Sequence, residues 1–155
     1  MNDVSRDSGK GLSTKALIEA ISVNKGDICR DESAMADVFD ILRWCSSFVR
    51  KTAESDGIEI TVKEFLLEID PAVTPDIARY RQYEPAAYEE LAITSLVYLS
   101  FSDFSTTDPE EFVRVTAFPF WDRAARNWSS YCRAFTHSEP LEEQAGEFFD
   151  PSTSP

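Results

Sequence analysis

From Trp121 to Phe135 the side chains Trp121, Ala124, Ala125, Trp128, Tyr131, Cys132 and Phe135 recur at three- and four-residue steps. That period belongs to one face of an α-helix and to no strand, so the segment must lie on a partner surface that covers its two tryptophans. The opposite face carries Arg123, Arg126 and Arg133. Two further segments supply helices of the same kind. Ala34 to Lys51 places Met35, Val38, Phe39, Leu42, Cys45 and Val49 on one stripe, and Ser13 to Val23 groups Leu17, Ile18 and Ile21 behind a Ser13 or Thr14 cap. Between Ala86 and Phe101 two apolar faces are present, one through Tyr88, Leu91, Ala92, Ser95, Leu96 and Leu99, the other through Ile93, Val97 and Phe101. A helix apolar on two sides belongs at the centre of its bundle.

Punctuation between these segments is clear. Asn24 to Ser33 reads as a loop, Glu54 to Gly57 as a turn, and Gly57 to Ile60 alternates as a short strand does. Thr61 and Glu64 have capping-box spacing ahead of a helix through Phe65, Leu66 and Ile69; Asp70-Pro71 stops it. Thr74-Pro75 opens a brief helix to Tyr80, Glu84-Pro85 resets the chain, and Asp108 to Glu111 forms a second capping box. Residues 1–11 are a polar lead-in expected to be disordered, and the acidic tail from His137 offers one weak amphipathic helix through Leu141, Ala145, Phe148 and Phe149.

Charge narrows the function. With 15 basic and 28 acidic side chains the formal charge is −13, which repels nucleic-acid phosphates and anionic membrane surfaces alike. No apolar run approaches the ~20 residues of a membrane span, and residues 1–11 lack the apolar core of a secretory signal, so the expected location is cytoplasmic. Cys29, Cys45 and Cys132 are odd in number and widely spaced, which reads as free buried thiols, and with no Cys-x-x-Cys pair a zinc site is excluded. Ser8-Gly-Lys-Gly11 lacks the spacer of a nucleotide-binding loop. The one histidine, His137, stands in the polar tail with nothing to orient it, and the pairs Glu89-Glu90, Glu110-Glu111 and Glu142-Glu143 suit helix starts and solvated faces. No catalytic, cofactor or metal residue is assigned, and no small-molecule substrate is evident. Arg123, Arg126 and Arg133 are the candidate protein interface.

Three motifs in order, Ile41 to Lys51 (ILRWCSSFVRK), Thr61 to Leu67 (TVKEFLL) and Phe118 to Trp128 (FPFWDRAARNW), resemble the region that follows the NTPase domain in fungal NACHT proteins of the STAND class. Leu17 to Ile21 with Gly26-Asp27, Glu90 to Leu99, and Phe148 to Pro155 are similar to further segments of that region, so the resemblance runs from about Leu12 to Pro155. It implies a winged-helix-like domain of the type also named for GPI inositol-deacylase, followed by a helical connector that relays nucleotide state between the NTPase and sensor repeats, often ankyrin repeats. Two departures stand out. Glu59-Ile60 runs directly into Thr61 where the family carries a longer strand with a histidine, and the chain begins one helix late and ends before any repeat.

The fold class expected is therefore mainly α: a partial winged-helix-like domain over 12–70 with a short or degraded β wing, a helical connector over 71–137 packed on it, and an acidic tail over 138–155 with a weak helix. Its core is expected to hold Leu17, Ile21, Phe39, Leu42, Phe48, Phe65, Leu66, Leu91, Leu96, Leu99, Trp121 and Trp128. The implied role is a noncatalytic regulatory module contacting an NTPase or repeat domain of a signalling protein. The competing reading is a free-standing acidic inhibitor or immunity-type protein that masks a basic target, since high negative charge speeds association with cations.

Overall fold

The computed structural model describes residues 12–45, 49–51, 58–60, 63–106, 115–133 and 137–150. The protein is mainly α-helical, as its periodicity requires. The lead-in 1–11, Thr61 of the first capping box, the whole second box at 108–111, the turn at 54–57, Phe48 and Phe135 lie outside the described residues.

Helix α1 spans Thr14–Ser22, capped by the Ser13 hydroxyl, which accepts from the Ala16 amide at 3.2 Å. Its buried face differs from the expected Leu17, Ile18 and Ile21 stripe. Thr14, Ala16 and Glu19 are buried, Leu12, Ala20 and Val23 pack beside them, and Ile21 is exposed. The stripe through Leu12, Ala16, Ala20 and Val23 has the same helical period, and its two alanines let the α1 backbone approach a neighbour more closely than Leu17 and Ile21 would. After α1 the chain turns at Asn24–Asp27, where Gly26 takes φ 92°, a conformation open to glycine at little cost. Asp31 caps a 3₁₀ turn at Glu32–Ala34 by accepting from Ser33 N at 2.8 Å. Hydrogen bonds from the Ser33 hydroxyl and amide hold the Asp31 carboxyl below its usual range.

Helix α2, Val38–Cys45, starts on an Asp37 cap that accepts from Phe39 N at 2.7 Å. It is shorter than the helix expected over Ala34–Lys51. Strand β1, Val49–Lys51, pairs antiparallel with β2, Ile58–Ile60, in the register Val49↔Ile60, Arg50↔Glu59 and Lys51↔Ile58. The four-residue step from Cys45 to Val49 satisfies a helical period, but Val49, Ile58 and Ile60 are β-branched and suit a pleated ladder better than a helix. The expected short strand ending at Ile60 is present and has found its partner inside the expected helix.

Helix α3, Lys63–Glu68, ends before Asp70-Pro71, where the Asp70 carbonyl accepts from Val73 N and Thr74 N. A 3₁₀ helix at Pro75–Tyr80 follows, and Gln82 N donates back to Leu66 O at 2.9 Å. Helix α4, Glu84–Leu99, is the centre of the molecule, as its two apolar faces require. Val97 and Tyr98 join Phe101, Phe118, Phe120, Ala124 and Ala16 in one core. Ala92 and Leu96 join Leu141 in a second, against which Trp128, Tyr131, Cys132, Ala145 and Phe148 pack. A single turn, α5 (Asp103–Thr106), then leads toward α6, Trp121–Cys132, whose Ala124 is fully buried.

Helix α7, Glu139–Phe149, occupies the segment where the sequence offered only a weak helix. Ser138 caps it by accepting from Leu141 N at 3.2 Å, and the Ser138 hydroxyl donates to Glu89 of α4. Leu141 and Gln144 are buried, so α4, α6 and α7 form a three-helix unit with α1 laid across the α6 entry. Among the described residues, none between Val38 and Tyr83 belongs to either of these two clusters. Phe39 is 81% exposed and Phe65 58%, which corrects their expected places in the core; Ile41 and Ile69 are buried instead.

Candidate functional site

A carboxylate in an alanine-rich helix face is the least expected feature of this fold. Glu19 follows Ala16 by three residues and precedes Val23 by four, so the rotation that buries those residues buries Glu19 too, to 4% exposure. A buried carboxylate is tolerated only when donors surround it. Three different elements supply them. Tyr98 Oη of α4 donates to Oε2 at 2.7 Å, the Phe120 amide at the α6 entry donates to Oε2 at 2.8 Å, and Arg30 Nη1 donates to Oε1 at 3.1 Å.

Arg30 extends the network. Its Nη1 also donates to the Ala117 carbonyl at 2.7 Å, its Nη2 donates to Glu32 Oε1 at 2.8 Å, and its guanidinium lies 4.8 Å above the centre of the Phe118 ring. Its backbone amide donates to Asp103 Oδ2 at 2.8 Å. Tyr98, 1% exposed, sits among the rings of Phe101, Phe104 and Phe120 at centroid distances of 5.2, 5.5 and 5.1 Å. Phe120 is the N-cap residue of α6 and lacks a side-chain cap, so the Glu19 charge, delivered from another helix, takes the acceptor's place at the positive end of α6.

This arrangement ties α1 to α4, to the Arg30 loop and to the α6 entry. Both Glu19 oxygens are engaged by donors, and the Tyr98 hydroxyl already spends its proton on Glu19. Burial, and then the hydrogen bond to Glu19, pushes the Tyr98 hydroxyl far above the ordinary tyrosine range. In the unfolded chain a tyrosine ionises near 10.0, so the stabilisation from keeping Tyr98 protonated is complete below pH 10 and lost as pH rises above it. Urea unfolding between pH 9 and 11 is expected to show a loss approaching ~1.4 kcal/mol per pH unit. Burial raises Tyr131 as well, so Tyr98→Phe should remove the larger part of this slope and not all of it. An unchanged slope in the Tyr98→Phe variant would mean that Tyr98 ionises freely in the folded protein.

Two spaces adjoin the network. A cavity of about 10 Å³, lined by Glu19, Ser22, Asp27, Arg30, Asp31 and Tyr98, has room for one water. On the outer side an open groove of about 480 Å³ runs between Lys15 and Ile18 of α1, Met35 and Val38, and the Ala117–Pro119 segment. Among the described residues no three His, Cys, Asp or Glu side chains converge to hold a metal ion. No helix there is long and apolar enough to cross a membrane.

The arginines of α6 are not brought into this site. Arg126 Nε donates to Asp122 Oδ1, one turn earlier, at 2.5 Å, so part of its charge is answered within α6. Arg123 is half-buried near Tyr131, and Arg133 stands exposed as the C-cap residue. Cys29 is exposed and Cys45 and Cys132 are half-buried; all three are free thiols, which corrects their expected burial. His137 is exposed, as a tail histidine should be, yet its Nδ1 lies 2.8 Å from Glu142 Oε1 and is therefore oriented. Glu143 pairs with Lys25 at 2.7 Å, which lowers the Glu143 carboxyl and raises the Lys25 ammonium from their ordinary values.

A second candidate surface lies on 38–83. Phe39, Phe65, Val73, Tyr80 and Tyr83 are all exposed there. Scattered exposed apolar residues are ordinary, but exposed helical aromatics in a segment of whose described residues only Ile41 and Ile69 are buried make it a candidate contact surface. Comparison with protein-family models, with curated proteins and with solved structures finds no match. Sequence reasoning missed Glu19 and Arg30 altogether. The available signal was a glutamate set inside the Leu12, Ala16, Ala20, Val23 stripe.

Proposed function

We propose that this protein is a noncatalytic protein-interaction module that works as the winged-helix-like and connector region of fungal NACHT-type proteins works, contacting an NTPase or repeat domain. The observation that carries this reading is the division of the chain. The described residues of α1 and of 84–150 build both core clusters, while 38–83 presents Phe39, Phe65, Tyr80 and Tyr83 outward. Aromatic side chains of this kind anchor protein interfaces. The three motifs quoted above are the ground for naming the partner class, and two of them, Ile41 to Lys51 and Thr61 to Leu67, fall in the outward-facing half.

The paired α2, β1–β2 and α3 elements are compatible with a reduced winged helix, in which β1 and β2 would be the shortened wing. Noncatalytic action agrees with a central carboxylate whose oxygens are occupied by donors from three elements. Affinity capture from the native source with the full chain, followed by crosslinking and peptide mapping, tests the reading. Recovery of a P-loop NTPase or a repeat protein crosslinked through residues 38–83 is the expected result. Recovery of a basic enzyme whose capture collapses with added salt would replace it with the acidic-inhibitor reading, for which the −13 charge and the exposed Glu142, Glu143 and Glu147 of α7 are the support.

A further inference from the structure

We infer that residues 24–37 form an ionic strap, a segment fastened across the helical core by Arg30 and a few polar contacts, which opens as a unit while the core stays folded. The strap does not depend on the identity of any partner. No residue from 24 to 37 is buried, and the one large aliphatic side chain near its middle, Ile28, points outward at 76% exposure. Apolar packing therefore does little to hold it. Its fastenings to the rest of the molecule are polar. Arg30 reaches Glu19 and the Ala117 carbonyl, the Arg30 amide reaches Asp103, the Ile28 carbonyl accepts from the Ser102 amide at 2.9 Å and hydroxyl at 3.0 Å, Ala34 O accepts from Ser22 Oγ at 3.4 Å, and Lys25 pairs with Glu143.

What lies beneath is well packed: Glu19, Tyr98, Phe101 and Phe118 are all buried, Tyr98 meets Phe101 ring to ring, and Phe104 makes ring contacts with Tyr98, Phe101 and Phe118. The core can therefore survive the strap's departure, because its apolar contacts do not pass through 24–37. Release would uncover Glu19 and Tyr98 and shift one wall of the 480 Å³ groove, which Arg30, Met35, Ala36 and Asp37 contribute. Arg30 is the fastening on which this turns, since it joins the strap both to Glu19 of α1 and to the Ala117 carbonyl ahead of α6.

Amide hydrogen exchange on the full chain tests this in two ways. In the wild type under increasing urea below the unfolding transition, the amides of Arg30 and Ser102 should exchange through a local opening that urea barely affects, while Val97 in α4 exchanges with the steep dependence of global unfolding. Identical rates and urea slopes for Arg30, Ser102 and Val97 would overturn the strap. In Arg30→Gln, exchange at position 30 and at Ser102 should accelerate about tenfold or more, with Val97 slowed or quickened far less. Equal acceleration at all three positions would instead make Arg30 a general support of the fold, and no acceleration at 30 and 102 would remove its role as fastening. Should the variant fail to fold, the wild-type urea series decides alone.

Discussion

Glu19→Ala is expected to cost about 3–5 kcal/mol of folding stability, the range for breaking a buried ion pair by removing one partner. The loss has three parts. Tyr98 Oη and the Phe120 amide would each lose a buried acceptor, and Arg30 would lose one of its two carboxylates. Arg30 keeps Glu32 and is partly exposed, which moves the expected value toward the lower end. Glu19→Gln should fall between the two, because the amide oxygen can still accept from Tyr98 and Phe120 whereas its NH₂ meets Arg30 donor to donor. Urea unfolding at neutral pH measures both variants. A loss below about 1 kcal/mol for the alanine variant would show that the network is dispensable and that α6 is positioned by apolar packing alone.

The second large effect is expected at Leu96→Ala, at about 2–5 kcal/mol. Leu96 is completely buried where α4 meets α6 and α7, and truncation leaves a void that Trp128, Phe148 and Leu141 can refill only by moving helices. The same truncation at Phe39, a larger side chain, should change stability by no more than about 0.5 kcal/mol, because its ring is already in water. The pair of variants separates two accounts of the same apolar periodicity. If Phe39→Ala proved as costly as Leu96→Ala, α2 would be part of the core and the outward-facing surface on 38–83 would not exist as described.

That contrast also marks where sequence reasoning reached its limit. Leu96 and Phe39 both sit on helical stripes of apolar residues, and the stripe says only that a helix has one side that avoids water. It does not say whether the cover is another part of this chain or another molecule. Val49 makes the same point for secondary structure. Its spacing from Cys45 fits a helix, and only the presence of Ile58–Ile60 across from it makes a strand the better state. Glu19 is the sharpest case, since its charge predicts exposure and its burial depends on Tyr98, Phe120 and Arg30, which lie 79, 101 and 11 positions away.

What the sequence by itself determined is local. The periodic run at Trp121, the two-faced run that becomes α4, the Ser13 cap, the stop at Asp70-Pro71 and the loop through Asn24–Ser33 are each set by a few neighbouring residues, through helical spacing, capping hydrogen bonds and the restricted backbone of proline. The tertiary structure decided which stripe of α1 is buried, gave α7 a buried face against α4 and α6, left Phe39 and Phe65 in solvent, and closed three donors on Glu19. Those outcomes depend on which surfaces meet, and the free energy of burying a side chain is set by the partner it meets as much as by its own chemistry.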